Sequence, residues 1–190
     1  MNKLICNASV SYFKFFLFVS YLVFVQHWVF AQYDEYEIKS VQIYTFAKHV
    51  TWSEKIMKGQ SKFIIGVLGE SPFGDVLERV VKNRPINGKP VEIRYGNVVR
   101  DLKGANIIFI CKSEEPNIKK ILEEIESYKN VSVLTIGDNI ANFCQYGGII
   151  NFTDEKYLFE INLKAATDVE LIIGSQLLRV AKHIISTNKK

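Results

Sequence analysis

A chain of 190 residues, 48 % of them apolar, suits one domain with a sizeable core and a removable leader. Two lysines and no acid lie in the first 31 residues, so the formal net charge of +4 falls to +2 without that stretch. So small and scattered an excess excludes a nucleic-acid binder, which carries a basic face or stripe.

Residues 1–31 read as a secretory signal. Lys3 and Lys14 give a positive start, and Phe15 to Val25 forms an apolar core. Val29-Phe30-Ala31 puts small residues where a signal peptidase reads, so cleavage is expected before Gln32. The competing reading is a retained anchor. The apolar run is short of the ~20 residues a span needs, and Gln26 and His27 interrupt its end. Cys6 precedes the apolar core, so it is not the lipid-bearing cysteine of a lipoprotein. Residues 32–190 are the expected mature domain, working outside the cytoplasm.

Asp34 and Glu37 have capping-box spacing. Ile38, Val41, Thr45, Ala47-Lys48 and Trp52 follow at helical spacing, with Tyr44 and Phe46 widening the apolar face. A first helix is expected through Trp52, with His49 on it as a structural histidine. Phe63 to Gly69 is the next expected strand. Ser71 and Pro72 supply N-cap and first-turn residues for a helix carrying Phe73, Val76, Leu77, Val80 and Val81. The turn Gly69 to Gly74 sits where anions can bind. It is neither a P-loop nor Gly-x-Gly-x-x-Gly, and Glu70 would repel a phosphate.

Asn87-Gly88 signals a turn. Pro90 to Tyr95 alternates as a half-buried or edge strand, and Asn106 to Cys111 reads as a central one. Ser113 is expected to cap a helix with Glu114 and Glu115 at its positive end. Ile118, Ile121, Leu122, Ile125 and Tyr128 form that helix's core stripe.

Val131 to Ile136 is a buried strand in expectation. Gly137-Asp138-Asn139 breaks it and starts a helical turn, which Gly147-Gly148 ends by allowing close backbone approach. Ile149 to Phe152 starts the neighbouring strand. A polar turn over 153–156 leads to a return strand over 157–161. Asn162 is placed to cap the helix starting at Leu163. Leu171 to Ile173 is short and extended, Gly174 breaks it, and Ser175 caps a last helix. That helix is expected to turn Leu177, Leu178, Ala181, Ile184 and Ile185 inward.

Strand–helix alternation followed by a late hairpin predicts an α/β fold: a three-layer sandwich whose mixed, mainly parallel sheet is flanked by helices. Cys111 ends one apolar run and Cys144 lies just past the next; if those runs are neighbouring strands, both sulfurs sit near one sheet edge. In an oxidising compartment they either pair, closing a loop worth roughly 3 to 4 kcal/mol, or stay buried as thiols.

No Gly-x-Ser-x-Gly, His-Glu-x-x-His or carboxylate-rich calcium loop is present. Asp138 stands where α/β enzymes place functional groups, yet an Asp after Gly at a strand end is more often a helix cap. Glu160 and Arg179 are the charged residues expected to be partly buried, as a structural pair.

Several segments in order carry a resemblance. They are Phe46 to Trp52; Ile65 to Gly69 followed by Ser71-Pro72-Phe73-Gly74; Ile86-Asn87-Gly88-Lys89-Pro90; Gly147-Gly148-Ile149-Ile150-Asn151-Phe152; Phe159-Glu160-Ile161-Asn162; and Ser175-Gln176-Leu177-Leu178-Arg179. With this order and spacing the chain resembles the YfiR-like family from about Tyr36 to His183. The resemblance implies a periplasmic, non-enzymatic adaptor that represses an inner-membrane diguanylate cyclase through its periplasmic sensor domain. It also implies sequestration by an outer-membrane lipoprotein, dimerisation and stabilising disulfides. Only Cys111 and Cys144 are at hand here, so a two-disulfide pattern does not carry over. The family offers no catalytic residues to transfer, and no cofactor or metal is expected. The partner class extends to histidine kinases. The alternative reading is a small-ligand-binding module, with a crevice near Gly69 to Phe73 or Asp138.

Overall fold

The structure is a computed structural model that describes residues 35–128, 132–155 and 157–186. The expected leader and its cleavage point lie outside the described residues, as do Val131 and Lys156. Glu37–Lys190 forms a compact unit, and the other unit, Met1–Tyr36, lies outside the described residues but for its last two.

In chain order the elements are α1 (residues 35–49), β1 (Val50–Thr51), α2 (Glu54–Lys58), β2 (Phe63–Leu68), α3 (Val76–Val81), β3 (Val91–Gly96), β4 (Ile107–Ile110), α4 (Ile118–Ser127), β5 (Leu134–Gly137), β6 (Ile150–Phe152), β7 (Phe159–Asn162), α5 (Leu163–Asp168), β8 (Ile172–Ile173), α6 (Ser175–Val180) and β9 (His183–Ile185). Seven strands form one sheet in the order β3-β2-β4-β5-β6-β7-β9, and β1 pairs with β8 apart from it. Every pairing in the larger sheet is parallel except β6 with β7. This is the mixed, mainly parallel α/β sheet the alternation predicts.

The pleat decides what each face buries. On one face Phe46 of α1 meets Phe159 edge-on at 4.7 Å and Phe152 at 5.8 Å. Phe73 meets Phe109 at 4.8 Å on the same side. On the other face Leu68, Ile108 and Ile110 pack against Ile118, Ile121, Leu122 and Ile125 of α4. So the sheet lies between α1 and α3 on one side and α4 on the other. Aromatic edge-to-face pairs of this kind add about 0.5–1.5 kcal/mol each beyond their burial.

Several expected elements are redrawn. The first helix stops at residue 49. Val50 and Thr51 extend to pair with Ile173 and Ile172, because β-branched residues gain more from a ladder than from another helical turn. Trp52 therefore leaves the helix; its indole N–H donates to Ser132 O at 3.1 Å and its ring meets Phe63 at 5.0 Å. The helix after β2 begins at Val76 with Asp75 at the N-cap, not at Ser71 and Pro72. Gly74 at φ +53 interposes a left-handed residue, and Ser71 Oγ accepts from Phe73 N instead. Ser113 caps nothing either. A 3₁₀ turn spans Lys112–Asn117 with Pro116 inside it, and α4 starts only at Ile118.

After β5 the chain forms turns, with no helix over 138–148. Asn139 and Asn142 both take positive φ, which a continuing helix forbids. The last helix is also shorter than its pattern suggests. It ends at Val180, and His183–Ile185 pair in parallel with Glu160–Asn162. An open edge of β7 thus captures two isoleucines that look like a helix stripe, and Ile184 is exposed, not buried.

Candidate functional site

In α1 the buried residues are Lys39, Ser40, Ile43, Phe46 and Ala47, so a lysine occupies an inward position. In β5 the period of two puts Leu134, Ile136 and then Asp138 on the face that α1 covers. The two meet: Lys39 Nζ lies 2.7 Å from Asp138 Oδ1, at 6 % and 2 % exposure. The ammonium also sits 5.4 Å from the centre of the Phe152 ring. Asp138 is therefore not a helix cap but half of a buried ion pair at the carboxyl end of the parallel strands. Closed from solvent, it latches α1 to the sheet and offers no surface to a substrate.

The turns beyond Asp138 are clamped by two asparagines. Asn151 Oδ1 accepts from Ile140 N at 3.1 Å, and its amide donates to Ile140 O at 3.0 Å and to Glu160 Oε1 at 3.2 Å. Asn162 Oδ1 accepts from Ala165 N at 3.0 Å, the cap its position predicts, while its amide donates to Cys144 O at 2.8 Å. Both asparagines are buried, and satisfying a buried backbone group saves about 1–3 kcal/mol each. Glu160 thus turns to Asn151, and Arg179 is exposed on α6; the expected pairing of those two is absent. Phe143 fills the space under the turns. A Cβ on Gly148 would stand 2.1 Å from its ring, which explains why the close approach needs glycine there.

The crevice at the ends of β2 and β4 is the place such folds use for ligands. Here it is filled. Gly69 has φ +93, and a Cβ on it would meet Ser113 Oγ at 2.6 Å and the Glu114 side chain at 2.8 Å. Ser113 Oγ accepts from Glu70 N at 3.1 Å. Glu70 and Glu114 flank the spot, as the sequence objection to an anion anticipates. Cys111 is buried beside it, and burial together with Asp138 pushes its thiol up to about 12. Cys144 is also buried and free, its thiol raised mainly by burial, so the two sulfurs are unpaired.

The remaining family-motif residues are scattered over the fold. Gly88 takes φ +74 in the turn closed by the Ile86–Lys89 bridge. Pro72 is half-buried, while Gly74 and Gly147 occupy open left-handed positions. Ser175 and Gln176 are exposed on α6, where Leu178 is half-buried. No pocket gathers them. His49 ends α1 and its carbonyl accepts from Gly174 N at 2.8 Å; His183 is exposed on β9. Among the described residues no three His, Cys, Asp or Glu side chains are grouped to hold a metal.

A cavity of about 270 Å³ opens at the opposite end of the sheet, between α4, the 145–149 turn and α5. Leu122, Ile125, Val133 and Ile149 give it an apolar lining, with Tyr128 and Tyr146 beside them. Of its polar members, Thr135 and Asn162 already serve backbone groups, while Glu126, Gln145 and Asp168 add further polar lining. Sequence reasoning missed this cavity because no local pattern joins α4 to the 145–149 turn.

The profile of the YfiR/HmsC-like family matches residues 36–182. The chain belongs to that family. No curated protein matches it. YfiR/HmsC-like proteins are periplasmic regulators that act with a membrane sensor. Among the described residues no helix is long and apolar enough to cross a membrane.

Proposed function

We propose that this protein is a periplasmic signalling adaptor that binds the periplasmic part of an inner-membrane sensor, a diguanylate cyclase or histidine kinase, and represses it. The family match over residues 36–182 carries the reading. Exposed apolar side chains support it. Ile172, Val180 and Ile184 are 67 %, 59 % and 45 % exposed on the last three elements and are available for contact with a partner. An outer-membrane lipoprotein that sequesters the adaptor, and self-association, belong to the same reading. Residues 1–31, removed before Gln32, would deliver the domain to its compartment.

The test pairs two measurements. The mature chain, used as bait in envelope extract, should retain an inner-membrane sensor. Deleting the gene should raise that sensor's output, read as cyclic di-GMP or as kinase phosphorylation. Retention of no sensor, with unchanged output, would overturn the reading.

The cavity beside α4 favours a second reading, a small-ligand module. A metabolite bound there would raise thermal stability, by about 2.7 kcal/mol at 100 times its dissociation constant. A metabolite screen with no shift in unfolding temperature rejects it.

A further inference from the structure

The two edges of the seven-stranded sheet differ. β9 exposes Ile184, whereas β3 borders a concavity of about 850 Å³ shared with α3 and the hairpin after it. Val81, Val91 and Ile93 give that concavity an apolar lining. Lys82 and Arg84 also line it, both exposed, beside the Asp75–Arg79 ion pair. Neither has an ion-pair partner among the described residues.

Glu78 adds a second sign. Its Oε1 accepts from the Tyr95 hydroxyl at 2.5 Å, while its Oε2 is buried with no hydrogen-bond partner. A buried acceptor without a donor is costly. This wall of the concavity therefore lacks one N–H.

The backbone of β3 supplies a third. Pro90 O accepts from Phe63 N at 2.9 Å, and Gly96 O accepts from Gly69 N at 3.0 Å. The even-numbered residues thus bond inward to β2. The strand period then turns the N–H and C=O of Val91, Ile93 and Tyr95 outward.

The geometry points to β3 as the docking edge for an extended, acidic segment of a partner protein. The inference rests on the adaptor reading for the existence of a partner and adds where it docks and by what chemistry. Backbone pairing along Val91, Ile93 and Tyr95 would give affinity, and acidic side chains would meet Lys82 and Arg84. A free anion would answer the cations and leave the strand edge unpaired. A second copy would bring Lys82 and Arg84 to an edge carrying the same charges.

The probe is a fluorescein-labelled extended heptapeptide, Thr-Glu-Val-Asp-Val-Glu-Thr, capped at its C-terminus and used with the mature protein. Its control has lysine at each acidic position. At millimolar concentration the acidic peptide should bind and slow amide exchange at Val91, Ile93 and Tyr95, read by nuclear magnetic resonance. The control should do neither. The exposed pair K82E/R84E should weaken binding by about tenfold or more. Ile93→Pro removes only an outward N–H and should abolish the protection. If that variant fails to fold, K82E/R84E decides. Equal binding of both peptides, no binding, protection elsewhere, or indifference to K82E/R84E overturns the inference. Sensor capture undiminished in K82E/R84E sinks this surface and leaves the adaptor reading intact. Capture of no sensor by the wild type, with the acidic peptide still protecting β3, sinks the adaptor reading instead.

Discussion

Lys39 and Asp138 are 99 positions apart and meet at 2.7 Å in the interior, joining α1 to the end of β5. Removing one partner takes from the other buried charge the counter-ion 2.7 Å away. Asp138→Ala is expected to cost about 3–5 kcal/mol. The double change Lys39→Met with Asp138→Leu should cost much less, since neither charge remains. Urea unfolding of the three proteins checks the difference. Equal losses for single and double variants would show that the pair is not coupled.

Gly148→Ala forces a methyl group against Phe143. Overpacking of this kind typically costs about 1–3 kcal/mol. Adding Phe143→Leu should recover part of the loss, because the ring that clashes is shortened. A double-mutant cycle on thermal unfolding reads the coupling, and additivity within error would refute the clash.

Cys111 and Cys144 should resist alkylation in the native protein at neutral pH and react fully once it is unfolded. Thiolate is the reacting form, and burial raises both thiols. The sign for stability follows. An unfolded cysteine ionises near about 8.5, whereas Cys111 holds its proton up to about 12. Its contribution is complete below the lower value and is lost as pH rises through that window. Cys111→Ser should remove this alkaline loss from the pH–stability curve.

Glu115 should act in the opposite direction. The Ala141 N–H, at 2.7 Å, and the Lys112 ammonium hold its carboxyl below the usual range. A depressed carboxyl stabilises the fold above its unfolded value, and that stability is lost as pH falls through the folded one. Glu115→Gln should flatten the acid limb of the unfolding midpoint. The cost at neutral pH should be about 1 kcal/mol, for one hydrogen bond to a charged acceptor on a partly exposed site.

Much of the fold was legible because its strands are continuous apolar runs between glycines. β2 and β4 emerge within a residue or two of their expected bounds, and the Asn162 cap lies where its position predicts. The ion pair was legible in principle as well. Lys39 interrupts an apolar helical stripe, and Asp138 continues the inward alternation of Leu134 and Ile136. Each looks ordinary alone; only the pairing of two periodicities reveals them together. His183–Ile185 could not be read locally. Those residues fit a helix face as well as a strand, and the decision belongs to the open edge of β7.

β1 and β8 bring residues 50 and 173 side by side, and Gly174 N donates to His49 O. Such closure joins two segments far apart in sequence, so it cannot form before residues 172 and 173 are in place. Loop-closure entropy makes contacts of this span late ones. Once made, the pairing ties α1 to the segment before α6, so the two sequence extremes of the fold loosen or hold together as one cooperative unit.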